Sequence, residues 1–148
     1  MKDAYKPVWL VLFVAAGLAA VVGVSRMRGA ADNGPEKVAW TTDLDAARER
    51  SAKEHKPVLV YFTASWCGPC QRMKTTTWAD AKVAAAVANY IPVKVDIDEQ
   101  RAVAAQFGVQ SIPRVEVLGP GDARALVVEG GVTPDEFLSS LGQARGGV

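Results

Sequence analysis

The chain has 148 residues, 49% of them hydrophobic and 22% charged, which allows one domain of ordinary size plus an appendage. Its formal net charge is +1; Lys2, Asp3, Lys6, Arg26 and Arg28 precede residue 32, and the remainder holds 13 basic against 15 acidic side chains, which excludes a nucleic-acid surface. Two cysteines exclude a disulfide framework, and their number alone leaves the compartment open.

Residues 1–7 form a polar flank, and Val8 to Val24 is an unbroken apolar run of 17 residues. That is the short end of the ~17–25 residues that cross a bilayer as a helix. Tyr5 and Trp9 sit where interfacial aromatics belong, and Arg26 and Arg28 flank the far end. A cleaved signal peptide, a retained anchor and a buried core helix all compete for this run. A core helix would carry a polar face, and none is present. Gly29-Ala30-Ala31 fits the small-residue rule for cleavage, but the run exceeds the usual ~7–15-residue signal core and two arginines precede the cut. We read residues 8–25 as a retained transmembrane signal anchor. Lys2, Lys6 and the amino terminus balance Arg26 and Arg28, so charge barely sets orientation. Residues 26–37 are a short linker, polar from Ala30 to Lys37, that keeps the following domain near the membrane surface.

Residues 38–142 are the folded domain. Val38-Ala39-Trp40 is a candidate short edge strand. Thr41-Thr42-Asp43 offers an N-cap to a helix from Leu44 to His55, with Leu44 and Ala47 inward, Ala52 a third candidate, and His55 a surface residue at its end. Lys56 to Phe62 reads as a fully buried strand, opened by Pro57. The next stretch, Thr63-Ala64-Ser65-Trp66-Cys67-Gly68-Pro69-Cys70, holds both cysteines where this strand gives way to a helix. Pro69 is tolerated in a first helical turn, and Gln71-Arg72-Met73-Lys74 are helix formers. Positions i and i+3 share a helix face, so the two sulfurs can approach bonding distance.

That placement carries chemistry. Cys67 lies at a helix N-terminus, where unpaired N–H groups and the macrodipole favour a thiolate. Cys70, one turn in, is expected to be more buried and to stay protonated longer. Cys67 is then the nucleophile and Cys70 the resolving thiol of a dithiol–disulfide exchange. A structural zinc site needs four Cys or His ligands, and only His55 is added here, so no metal centre is expected. A stapling disulfide over so short a loop would constrain the unfolded chain little. No dissociable cofactor is expected, because the redox-active Cys67–Cys70 pair takes up electrons as a disulfide and hands them on as a dithiol.

Trp78-Ala79-Asp80 interrupts the helical pattern, and Asp80 caps a second piece, Ala81 to Asn89, whose Val83 and Val87 share a face. A strand at Ile91–Ile97, a helix at Glu99–Phe107 closed by Gly108, and a strand at Arg114–Leu118 follow. Gly119-Pro120-Gly121-Asp122 is a turn into the strand Arg124–Glu129. Thr133 and Pro134 open the last helix, Asp135 to Leu141, and residues 143–148 are a flexible tail. The order implies an α/β fold, a central mixed β-sheet flanked by helices.

From Val38 to Leu141 the chain resembles the thioredoxin family. Trp66-Cys67-Gly68-Pro69-Cys70 matches that family's redox motif, Phe107-Gly108-Val109-Gln110-Ser111-Ile112-Pro113 its approach to a cis-proline, and Gly130 its glycine before the last helix. The resemblance implies a thioredoxin-like fold with a cis Ile112–Pro113 bond facing the cysteines. Ile112 would then offer its N–H and C=O to an extended partner. Met73 to Val87, with Thr76, Asp80 and Val83, resembles reductase domains of the bacterial disulfide-reductase type. It implies a protein-disulfide reductase on the periplasmic, extracytoplasmic side of the inner membrane. Its partners would be protein thiol or disulfide substrates, with a membrane thiol carrier as electron donor.

One position departs from the family. Where thioredoxins place a buried aspartate, this chain has Tyr61, while the lysine that pairs with it is kept as Lys94. Lys94 then needs another partner, and Glu116 is a candidate beside the alternative of a solvated strand face. The competing functional readings are a binding module or assembly chaperone without redox turnover, and a metallochaperone, for which the extra soft ligands are missing.

Overall fold

The structure, a computed structural model, describes residues 36–146. The expected transmembrane segment at 8–25, the flank at 1–7 and most of the linker lie outside the described residues. No helix among the described residues is long and apolar enough to cross a membrane.

The elements are α1 (Leu44–Glu54), β1 (Val58–Thr63), α2 (Gly68–Thr75), α3 (Ala81–Val87), β2 (Ile91–Asp96), α4 (Arg101–Gln106), β3 (Arg114–Leu118), β4 (Arg124–Glu129) and α5 (Pro134–Gly146). The four strands form one mixed sheet in the order β2-β1-β3-β4. β1 pairs with β2 in parallel and with β3 antiparallel, and β3 pairs antiparallel with β4. Val58 to Phe62 are all buried, as an apolar run between two other strands must be.

Side-chain alternation along β1 divides the core in two. Leu59 and Tyr61 face Met73, Trp78, Val83, Val87, Phe137 and Leu141, from α2, α3, α5 and the α2–α3 turn. Val58, Val60 and Phe62 face Leu44 and Ala47 of α1 and Phe107 just after α4. Trp78 is 0% exposed and anchors the first layer. It meets Trp40 and Phe137 edge-on, at ring separations of 5.1 and 5.0 Å, and lies 4.9 Å from the Tyr61 ring.

The helix ends follow the sequence signals. Asp43 accepts the Ala46 N–H at 2.9 Å, and His55 closes α1 in the left-handed conformation at φ 53°. Asp80 accepts the Lys82 and Val83 N–H groups at 2.7 and 3.0 Å. The Thr133 N–H donates to Glu136 Oε2 at 2.8 Å while the Glu136 N–H donates to Thr133 Oγ1, a reciprocal cap. Gly108, at φ 63°, follows Phe107 where α4 stops.

Four expectations about the fold need correction. Val38–Trp40 forms no strand, because the Lys37 N–H donates to the Trp78 carbonyl and the Trp40 N–H to Val38. Only Thr41 touches the sheet, as a single parallel bridge to Val93. Ala52 is exposed, whereas Ser51, one heptad from Leu44, turns inward and donates to the Lys56 carbonyl at 2.6 Å. α5 runs on to Gly146, so residues 143–146 are helical rather than a tail.

The fourth concerns Glu116, which is 0% exposed and is neither solvated nor paired with Lys94. It points to the face opposite Tyr61 and meets two arginines. Arg114 Nε donates to Oε1 at 2.7 Å, and Arg124 Nε lies 2.9 Å from Oε2.

Truncating Trp78 to Ala should cost about 3–5 kcal/mol, read by urea unfolding, because the layer around it cannot collapse into so large a void. The Val83 N–H holds the Asp80 carboxyl below its usual value, and the Thr133 N–H does the same for Glu136. A carboxyl whose pKa is lowered by folding stabilises the fold in full above its unfolded value and loses that contribution as pH falls through the folded one. Stability should therefore decline below about pH 4, and Asp80→Ala should make that acid slope shallower.

Candidate active site

β1 delivers the chain to Ala64, where the Cys67 N–H donates to the Ala64 carbonyl at 3.2 Å and turns it into α2. Cys67 is the N-cap of α2, with extended φ/ψ of −76° and 104°. Its Sγ accepts the Cys70 N–H at 3.2 Å. Pro69 sits in the first turn, where its missing N–H costs no hydrogen bond. The two cysteines are joined as a disulfide, with Cα atoms 5.2 Å apart.

The expected difference in burial between the sulfurs is absent: Cys67 is 3% exposed and Cys70 2%. Their inequality is electrostatic instead. Only Cys67 sits at the cap, where a helix N–H already points at its sulfur and negative charge is favoured.

Trp66 is 66% exposed, and its indole N–H donates to Asp98 Oδ2 at 2.7 Å. Asp98 was not legible as a site residue, since it lies 32 positions away in the β2–α4 turn. The Ile112–Pro113 peptide bond is cis. Ile112 is half-buried and packs, with Ile97, against the cluster of Ala64, Cys67 and Cys70. Among the described residues, no backbone hydrogen bond engages Ile112. Pro113 is buried, and its carbonyl accepts the Gly130 N–H at 2.8 Å from a glycine at φ 85°.

A pocket of about 140 Å³ adjoins Cys70, lined also by Glu36, Tyr61, Lys74, Lys94 and Asp96. Lys94 Nζ donates to Glu36 Oε2 at 2.5 Å and lies 5.4 Å from the Trp40 ring centroid. Glu36, assigned from sequence to the linker, is thus the partner for which Glu116 was one candidate. Glu116 fails because β3 turns it to the sheet's other face. Tyr61 packs between Trp40 and Trp78, and burial pushes its phenol above the usual value. The Thr63 and Trp78 side chains oppose that rise, and the Glu36 charge adds to it.

Every sequence-assigned site residue except Lys94's partner therefore falls at one end of β1. The Cys67–Cys70 bond can take up two electrons from a partner dithiol, and the dithiol so formed can pass them to another disulfide by exchange. Chemistry of that kind makes the chain a thiol–disulfide oxidoreductase.

The comparisons agree. Residues 39–120 match the family described as Thioredoxin-like. Thioredoxin H1 of Arabidopsis thaliana is 36% identical over 69% of this chain and 82% of its own length. Thioredoxin H3 of the same plant is 34% identical over 69% and 79%. Among solved structures, the oxidised DsbD C-terminal domain of Neisseria meningitidis matches at 30% identity and TM-score 0.63, covering 72% of this chain and 100% of that one. A Thermus thermophilus thioredoxin matches at 25% identity and TM-score 0.65, over 73% and 87%. This chain belongs to the thioredoxin-like family.

In Cys70→Ser, the remaining Cys67 thiol should titrate below the ~8.5 of a free cysteine. It should also alkylate faster at neutral pH than Cys70 does in Cys67→Ser. A pH series with iodoacetamide measures both.

Proposed function

We propose that the chain is a membrane-tethered reductase of protein disulfides, with its domain on the extracytoplasmic side. The observation that carries the redox reading is the Cys67–Cys70 disulfide, with one sulfur capping α2 beside the Ile112–Pro113 loop. Cys67 thiolate attacks a substrate disulfide, releasing one substrate thiolate and forming a mixed disulfide. Cys70 then attacks Cys67 Sγ, which closes the intramolecular disulfide and frees the second thiolate. An upstream dithiol restores the reduced pair, and no cofactor is required.

The reducing direction is supported by the Gly68-Pro69 dipeptide, which resembles that of reducing family members with potentials near about −270 mV. The free backbone groups of Ile112 suit an extended substrate segment, held as an added strand. The tether rests on the apolar run at 8–24 and the short linker behind it.

The 148-residue chain should reduce insulin with a dithiol as donor, and Cys67→Ser should abolish turnover. Unchanged aggregation of insulin with Cys67→Ser would instead indicate a binding module. Cys70→Ser in membranes should hold substrates as stable mixed disulfides. Protease added from the extracytoplasmic side should remove the domain while the apolar segment stays with the membrane.

A further inference from the structure

The reaction leaves one proton unassigned. When Cys70 attacks the mixed disulfide, its thiol must lose a proton, and the side chains around its pocket determine where that proton goes. The titratable groups lining the pocket are Glu36, Tyr61, Lys74, Lys94 and Asp96. The lysines are cations and cannot accept a proton. Burial keeps the Tyr61 phenol protonated at neutral pH. Asp96 accepts the Asp98 N–H at 2.9 Å and shapes the turn after β2. Among the described residues Glu36 makes no such backbone bond; its Oε2 meets Lys94 Nζ.

We infer that Glu36, carried by the segment that precedes the sheet, accepts the Cys70 proton across this pocket during resolution. The inference rests on the exchange chemistry proposed above. The step balances: the mixed disulfide on Cys67, the Cys70 thiol and the Glu36 carboxylate give the Cys67–Cys70 disulfide, a substrate thiolate and a Glu36 carboxylic acid. The acid then returns its proton to solvent.

Charge conservation favours this route over loss of the proton to bulk water. Before transfer, the pocket holds a carboxylate beside Lys94 and a neutral thiol. Afterwards it holds a neutral acid, the same lysine and a thiolate. The Cys70 thiolate inherits the cation that Glu36 relinquishes, so this part-buried site gains no net charge. A volume of about 140 Å³ leaves room for a water between the two groups, given a liquid share of ~30 Å³ per molecule. Glu36 and Lys94 are held in place independently of the substrate. The Lys37 N–H donates to the Trp78 carbonyl at 2.8 Å, and the Lys94 N–H donates to the Thr41 carbonyl at 2.8 Å.

The test uses the reduced 148-residue chain and a nitrobenzoate aromatic disulfide, whose two thiolates leave in two phases. The fast phase reports attack by Cys67 and the slow phase resolution by Cys70. Glu36→Gln should leave the first phase intact and slow the second by about 100-fold at pH 7, the lower range for a positioned base. The two proteins should converge as pH rises and Cys70 ionises directly into solvent. Glu36→Asp should recover part of the neutral rate. A superimposable second phase, or one slowed equally at every pH, overturns the inference, since a merely structural role has no reason to fade in alkali. A convergent profile from Asp96→Asn in place of Glu36→Gln also overturns it. Loss of the first phase in the unsubstituted chain would instead strike the exchange reading itself.

Discussion

The position of the Cys67 sulfur depends on strand β1 being immobile. β1 is paired on both sides and buried along Val58–Phe62, so a slip of one residue would turn Tyr61 and Leu59 into the layer that holds Phe62 and Val60. That cost fixes where the strand stops and hence where α2 starts. The helix then begins on a cysteine whose sulfur takes the place of a capping oxygen. The fold holds one end of a helix steady so that its unpaired N–H groups act on a thiol rather than on water.

The same strand determines what lies behind the second sulfur. At Tyr61 the chain places an aromatic ring where the resemblance implies a carboxylate, and the ring joins Trp40, Trp78 and Phe137 in one apolar layer. An aromatic side chain there adds buried area and ring contacts. It also leaves Lys94 without a strand-borne partner, and the anion comes from Glu36, outside every strand and helix of the fold. An ion pair with one side chain 26% and the other 13% exposed adds little stability by itself. Its consequence is chemical, because it puts one carboxylate and one cation in the pocket of the resolving thiol.

The loop facing the cysteines is held from below. Pro113 is tied to Gly130, and Arg114 bonds both Glu116 and Glu129. Arg124 meets Glu116 from the edge strand and donates to the Phe107 carbonyl at 2.9 Å. A fully buried carboxylate is costly unless opposite charge surrounds it; here Arg114 donates to Oε1 and the Arg124 guanidinium adds a second positive charge beside Oε2. This network joins β3, β4 and the end of α4 beneath Ile112. The loop's outer backbone remains free while its base is fixed.

Much of this was legible without coordinates, for a local reason. A buried apolar run, a helix-forming run and two cysteines at i and i+3 each signal within a few residues, so β1, α2 and the redox pair could be placed together. Asp43, Asp80 and Thr133 cap helices through their own neighbours, and those caps were equally readable. What sequence could not supply were contacts set by chain crossings: Glu36 with Lys94, Trp66 with Asp98, and Glu116 with its two arginines. A charged residue has no periodicity that names its partner. Which face of β3 met which helix, and which part of the linker folded back against β2, was decided only when the sheet closed and each buried charge had to be neutralised by whatever lay within reach.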